Sequence, residues 1–123
     1  MARILAVCDN KDILGSIKAM LETEGYDVAL AYGADEAMEA LEKDGVDLLL
    51  LDYYMQPVNG IRLLERIRKD RRYASTKTMF LTAAPKEDIG EGNLKRLKAG
   101  YMHKPFDIIE FRKAVKKMLG KAR

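Results

Sequence analysis

Residues Leu48-Leu49-Leu50-Leu51 form an unbroken leucine run that ends at Asp52. A strand with one wet face alternates apolar and polar side chains, because successive residues point to opposite sides of the sheet. Four leucines in a row must be covered on both faces, the situation at the centre of a parallel sheet. Three more apolar runs also end in a polar residue. Ile4-Leu5-Ala6-Val7-Cys8 leads to Asp9, Met79-Phe80-Leu81 to Thr82, and Tyr101-Met102-His103 to Lys104-Pro105. As parallel strands, these runs bring two carboxylates, a hydroxyl and an ammonium to one edge. Open parallel sheets bind ligands at that carboxyl edge.

Strand-like and helix-like segments alternate along the chain, the pattern of an α/β domain. The first strand is read at Arg3 to Val7, followed by a helix with Ile13, Ile17, Met20 and Leu21 inward and Gly25 past its end. A strand is read at Asp27 to Ala31 and a helix at Ala34 to Lys43, with Ala37, Ala40 and Leu41 inward. After the leucine strand, Tyr53 to Asn59 is a loop, and Asn59 caps a helix buried through Ile61, Leu64 and Ile67. Thr78 to Leu81 is the fourth strand. Pro85, Gly90 and Gly92 leave a helix only from about Asn93 to Ala99, before a short strand at Tyr101 to His103. Asp107 caps a last helix with Phe111, Ala114, Val115, Met118 and Leu119 on one face. Right-handed crossovers between five parallel strands give a doubly wound sheet with helices on both faces.

At 123 residues the chain is expected to be a single domain, 1–123, with no linker or room for an effector domain. One cysteine, Cys8, excludes an internal disulfide and fits a reducing compartment. No segment is long enough to span a membrane, so a cytoplasmic location is expected. The formal charge of +3 comes from 22 basic residues interleaved with 19 acidic ones. That balance gives no reason to expect direct nucleic-acid binding.

The strand ends carry a specific chemistry. Asp9 and Asp52 would face each other across the point where a sheet reverses direction. Two close carboxylates repel unless a cation lies between them. Mg²⁺ suits such a site, since it takes oxygen ligands and bridges to phosphate oxygens. Lys104 can pair with Asp52 and later with a phosphoryl oxygen, and Thr82 offers a hydroxyl donor. Pro105 biases the Lys104 backbone away from the helical region.

The motifs Val7-Cys8-Asp9, Leu51-Asp52-Tyr53-Tyr54-Met55, Asn59-Gly60, Leu81-Thr82-Ala83 and Lys104-Pro105-Phe106 occur in order along nearly the whole chain. In these the chain resembles a response-regulator receiver domain of two-component signalling, of the chemotaxis-regulator type. The resemblance implies a flavodoxin-like sheet in the order 2-1-3-4-5. It implies Asp52 as the phosphoacceptor, Asp9 as a direct metal ligand beside Asp52, and Thr82 and Lys104 in contact with the phosphoryl group. Two roles rest on the resemblance alone: Tyr54 as a metal ligand through its backbone carbonyl, and Tyr101 as the aromatic switch partner of Thr82.

The sequence departs from that pattern in three places. Cys8 stands where most relatives carry an acid, which predicts weakened Mg²⁺ affinity, because a thiol cannot supply the missing charge. A buried filler role is favoured for it over a redox one. Pro57 comes one residue late in Met55-Gln56-Pro57. A few residues are missing between Gly100 and Tyr101, while the preceding segment is longer by a similar number. That predicts an altered surface around the fourth helix.

The expected function is a phosphoacceptor receiver in a phosphorelay, switching its surface to regulate a partner. The implied partners are a sensor histidine kinase or phosphotransfer protein as donor and an output protein of unknown identity. Neither direct nucleic-acid contact nor a membrane is expected, and the chain is read as a monomer or weak homodimer. It is not an enzyme beyond its own phosphoryl transfer and dephosphorylation. The alternative is a pseudo-receiver, an interaction module that works without phosphorylation. A flavodoxin-like cofactor binder fits poorly, because Cys8-Asp9-Asn10-Lys11-Asp12 has two carboxylates and no glycine. His103 is read as a surface strand residue, and the basic residues of the third and last helices as solvated faces.

Overall fold

The computed structural model describes residues 2–120. Its strands are β1 (Arg3–Val7), β2 (Asp27–Ala31), β3 (Leu48–Leu51), β4 (Lys77–Thr82) and β5 (Ala99–His103). Its helices are α1 (Lys11–Glu22), α2 (Ala34–Lys43), α3 (Gly60–Lys69), α4 (Lys86–Ile89), α5 (Glu91–Arg96) and α6 (Ile108–Gly120), with a 3₁₀ turn at Arg71–Tyr73. All strand pairings are parallel, in the order β2-β1-β3-β4-β5. This is the expected α/β doubly wound topology, with its reversal between β1 and β3.

The leucine run occupies the centre, and each of its residues is almost fully buried. Alternation divides them between two cores. Leu49 and Leu51 join Leu5, Val7 and Phe80 beneath Ala37, Leu41, Leu63, Leu64 and Ile67. Leu48 and Leu50 join Ile4, Ala6, Met79 and Leu81 against Leu14, Ile17, Leu21, Phe111 and Val115. Burying each such side chain contributes about 1.5–3 kcal/mol, so β3 is among the costliest segments to dislodge.

Helix starts follow the sequence signals. The Asn10 side chain accepts from Ile13 N–H, and the Asn59 side chain accepts from Arg62 N–H. Asp107 Oδ1 accepts from Ile109 N–H at the head of α6. Gly25, at φ 89°, takes the left-handed conformation that turns the chain out of α1.

Three expectations are corrected. In α1 and α3, Leu14 and Leu63 are buried alongside the expected Ile17, Leu21, Leu64 and Ile67, whereas Ile13 and Ile61 are only half-buried. In α1 the adjacent Ile13 and Leu14 compete for the inward position and Leu14 takes it, while in α3 Leu63 and Leu64 are both buried. The expected helix from Asn93 to Ala99 is α5, which begins earlier, at Glu91, and is preceded across Gly90 (φ 90°) by an unexpected short helix, α4. Helix α5 ends at Arg96, because Lys98 adopts a left-handed φ of 57°, and Ala99 already belongs to β5.

Candidate phosphoacceptor site

Asp52 lies one residue beyond β3, held there by its own N–H donating to Val7 O across 3.0 Å. Its carboxylate is almost fully buried, which is costly for a charge unless partners compensate it. Four donors do so. Thr82 Oγ1 donates to Oδ1 at 2.6 Å, and Tyr54 N–H donates to the same oxygen at 3.2 Å. Lys104 Nζ lies 3.5 Å from Oδ2, and the Cys8 thiol donates to Oδ2 at 3.3 Å. Each oxygen therefore has two partners, and the Lys104 and Asp52 side chains are only 16% and 11% exposed. Burial raises the Coulombic attraction of that pair and lowers its salt screening.

The strands place each partner. Lys104 follows β5, and its N–H donates to Thr82 O at 2.8 Å, tying the end of β5 to the end of β4. Thr82 is fully buried, and its Oγ1 also accepts from Ala84 N–H, so the hydroxyl's orientation is fixed from both sides. Behind Asp52, α3 begins at Gly60 in close contact with the Asp52 carbonyl. A Cβ at Gly60 would collide with that oxygen and lie 2.8 Å from Phe80 Cε1.

Cys8 is the residue that sequence reasoning placed least well. Val7 is in register with Leu51, so Cys8 lies across from Asp52 and its side chain projects to the same face. It is buried, as expected of a filler, yet its thiol bonds the carboxylate directly. Burial pushes the thiol pKa up; the Asn10 N–H on its sulfur opposes the rise, and the Asp52 charge adds to it. The alternation of side chains along β1 was the available signal. Asp9, one residue further, is exposed and forms no hydrogen bond or ion pair among the described residues.

The remaining candidates fall around this centre. Tyr101 is half-buried, and its hydroxyl donates to Ala84 O at 2.6 Å, on the loop that follows Thr82. Tyr54 is 51% exposed at the mouth of the site, its ring against that of Tyr53. Met55 is buried in the α2–α3 core. His103 is exposed, with Nε2 3.1 Å from Ala83 O.

Among the described residues, no three His, Cys, Asp or Glu side chains are grouped to hold a metal ion. Two carboxylates and one backbone carbonyl are oxygen donors of the kind Mg²⁺ takes, and that ion keeps several waters and needs few protein ligands. The space beneath Asp52, between Cys8, Leu81 and Lys104, is about 10 Å³, close to one water and far below an organic ligand. The open approach to the carboxylate is therefore from its outer side.

A family model described as the response regulator receiver domain matches residues 4–116. The chain belongs to that family. Among the relatives of this receiver domain, the transcriptional regulatory protein TrcR of Mycobacterium tuberculosis is 36% identical over 111 residues, 88% of this chain and 41% of TrcR. The chain thus spans less than half the length of that relative. A CheY-like response regulator receiver domain protein from Methanospirillum hungatei superposes with a TM-score of 0.89 at 29% identity, covering 98% of this chain and 95% of that one. The response regulator TrrA of Thermotoga maritima, solved in complex with Mg²⁺–BeF, gives 0.84 at 30% identity over 97% of this chain and all of TrrA. No helix among the described residues is long and apolar enough to cross a membrane.

Proposed function

We propose that this receiver domain, taken as a single unit, accepts a phosphoryl group on Asp52 from a histidine kinase or phosphotransfer protein. The state of Asp52 then changes the surface presented to an output protein. The observation that carries the reading is the Asp52 carboxylate itself, buried, with Thr82 and Lys104 on opposite oxygens. An Asp52 oxygen attacks phosphorus in line, forming the acyl-phosphate O–P bond as the donor's bond to phosphorus breaks and its leaving group departs with the bonding pair.

Lys104 would leave Oδ2 and follow the negative charge onto a phosphoryl oxygen, and Thr82 would donate its hydroxyl to another. Asp9, Asp52 and the Tyr54 carbonyl are the residues that would hold Mg²⁺. When bound, Mg²⁺ supplies positive charge against the transferring oxygens. The likeness to TrrA, whose structure contains Mg²⁺–BeF, supports this assignment.

Movement of Thr82 toward the phosphoryl group would pull on Ala84 N–H and so reach Tyr101, bonded to the Ala84 carbonyl. Inverting a 1:99 population by such contacts takes about 5.5 kcal/mol of differential binding. The acyl phosphate carries about one charge more than the carboxylate, and its new acceptor oxygens make contacts of that order feasible.

Incubation with Mg²⁺ and acetyl phosphate should add one phosphoryl group by mass, and Asp52→Asn should abolish the gain. One observation favours a second reading. Cys8 puts a neutral thiol against Asp52 and, with Lys104, completes the partners of Oδ2 without a metal. If no phosphate is gained at saturating Mg²⁺, the domain is an interaction module independent of phosphorylation.

A further inference from the structure

The chain's positive charge is concentrated in two segments, of which one, residues 110–123, holds six basic side chains against one acidic. The other, residues 59–73, holds six basic side chains against two acidic ones. The structure sorts five of these six cations. Arg68 is turned inward onto backbone carbonyls and Thr78, and Arg72 is bound to Asp70 and Glu42. Arg62, Arg66 and Lys69 instead line an open trough of about 550 Å³ along the outer face of α3.

Their spacing of four and three residues aligns them on one side of the helix, over about 10 Å. Among the described residues neither Arg62 nor Lys69 has a carboxylate partner. Arg66 meets only Asp35, in a pair that is 55% and 93% exposed and so worth little. Glu65, the one acid in the trough, is neutralised by Arg96 at 2.8 Å. At its upper end the trough opens past Pro57 and Val58 into a hollow of about 260 Å³ beside Tyr32.

We propose that this trough is a docking site for an acidic polypeptide segment of about two helical turns, with its carboxylates over α3 and an apolar side chain in the Tyr32 hollow. The proposal goes beyond phosphoacceptance and does not depend on it. Charge complementarity selects an acidic partner, and the rim of the hollow selects a peptide over a nucleic acid. Asp35 and Glu36 stand there and would repel a continuous phosphate backbone. The trough itself offers no row of aromatic rings for stacked bases.

The test is a ¹⁵N NMR titration with a synthetic helical peptide bearing Glu at i, i+4 and i+7 and Leu at its end nearest the hollow. Shift changes are expected in residues 56–69. The double reversal Arg62→Glu with Lys69→Glu should weaken binding by about tenfold, the effect of losing two exposed charge pairs and adding repulsion. Lys113→Glu with Lys117→Glu, an equal charge change on exposed α6 positions, should leave binding within about twofold. Circular dichroism would establish that both variants fold. Absence of binding, equal losses in the two variants, shifts centred on another face, or equal shifts with an oligonucleotide of matched charge would each overturn the proposal.

Discussion

The Cys8 thiol donates to Oδ2 of Asp52 across 3.3 Å, so a neutral group lies directly against the buried carboxylate of the candidate phosphoacceptor. An aspartate at that position would add one negative charge to the site, and the thiol adds none. It also leaves Lys104 as the nearest counter-charge of Asp52.

Cys8→Asp should therefore have opposite effects with and without metal. In metal-free buffer a second carboxylate against a buried one is expected to cost about 1–3 kcal/mol, read by urea denaturation. With Mg²⁺ titrated in, affinity should rise by about tenfold over the parent, followed by calorimetry. An unchanged Mg²⁺ affinity would mean that the thiol is not what sets it.

The raised pKa of Cys8 has its own consequence. An unfolded thiol ionises near about 8.5, whereas the folded one holds its proton to higher pH. The native state therefore binds more protons than the unfolded state in that range. This contribution to stability is complete below the unfolded pKa and declines as pH rises through the folded one. Iodoacetamide at pH 8 should label the native protein much more slowly than the urea-unfolded protein; equal rates would refute the assignment.

Thr82→Val should remove the 2.6 Å bond to Oδ1 and strip Ala84 N–H of its acceptor, at an expected cost of about 1–3 kcal/mol by chemical denaturation. Thr82→Ser keeps the hydroxyl and should recover most of that loss. If Val keeps the parent's stability and Ser does not, the methyl packing matters and the hydroxyl does not.

Tyr54→Ala opens the mouth of the site, where the ring stands half-exposed two residues after Asp52. Water should then reach an acyl phosphate more easily, and its half-life, followed by mass spectrometry, should shorten. An unchanged half-life would remove Tyr54 from any shielding role.

Arg68 fastens the end of α3 to three segments at once, through Leu97 O at 2.9 Å, Tyr73 O at 2.7 Å and Thr78 Oγ1 at 3.2 Å. Arg68→Met should leave these acceptors short of donors and lower stability by about 2–4 kcal/mol in urea titrations. A loss below about 0.5 kcal/mol would show that water replaces the guanidinium without penalty.

The sequence made the site's membership legible because each contributor ends an apolar run: Asp52, Thr82 and Lys104 were readable from strand patterning alone. Two features were not. Side-chain alternation along β1 gives the face of Cys8, but its pairing with Asp52 also needs the β1–β3 register, which hydrophobicity does not reveal. Arg68 looked like any other cation in the run from Arg66 to Arg72, since composition cannot say which one turns inward. The end of α5 at Arg96 was misjudged for a related reason. Lys98 takes a backbone conformation that glycine usually supplies, so no local signal marked the stop.

The leucine quartet of β3 also separates two kinds of mutational sensitivity. Exchanging one aliphatic residue for another within it alters how firmly the sheet coheres and leaves the charge pattern at its tip untouched. Everything in that strand that a phosphodonor could sense is concentrated in a single terminal carboxylate. Drift in the rod and drift in the reporter can therefore proceed under independent constraints.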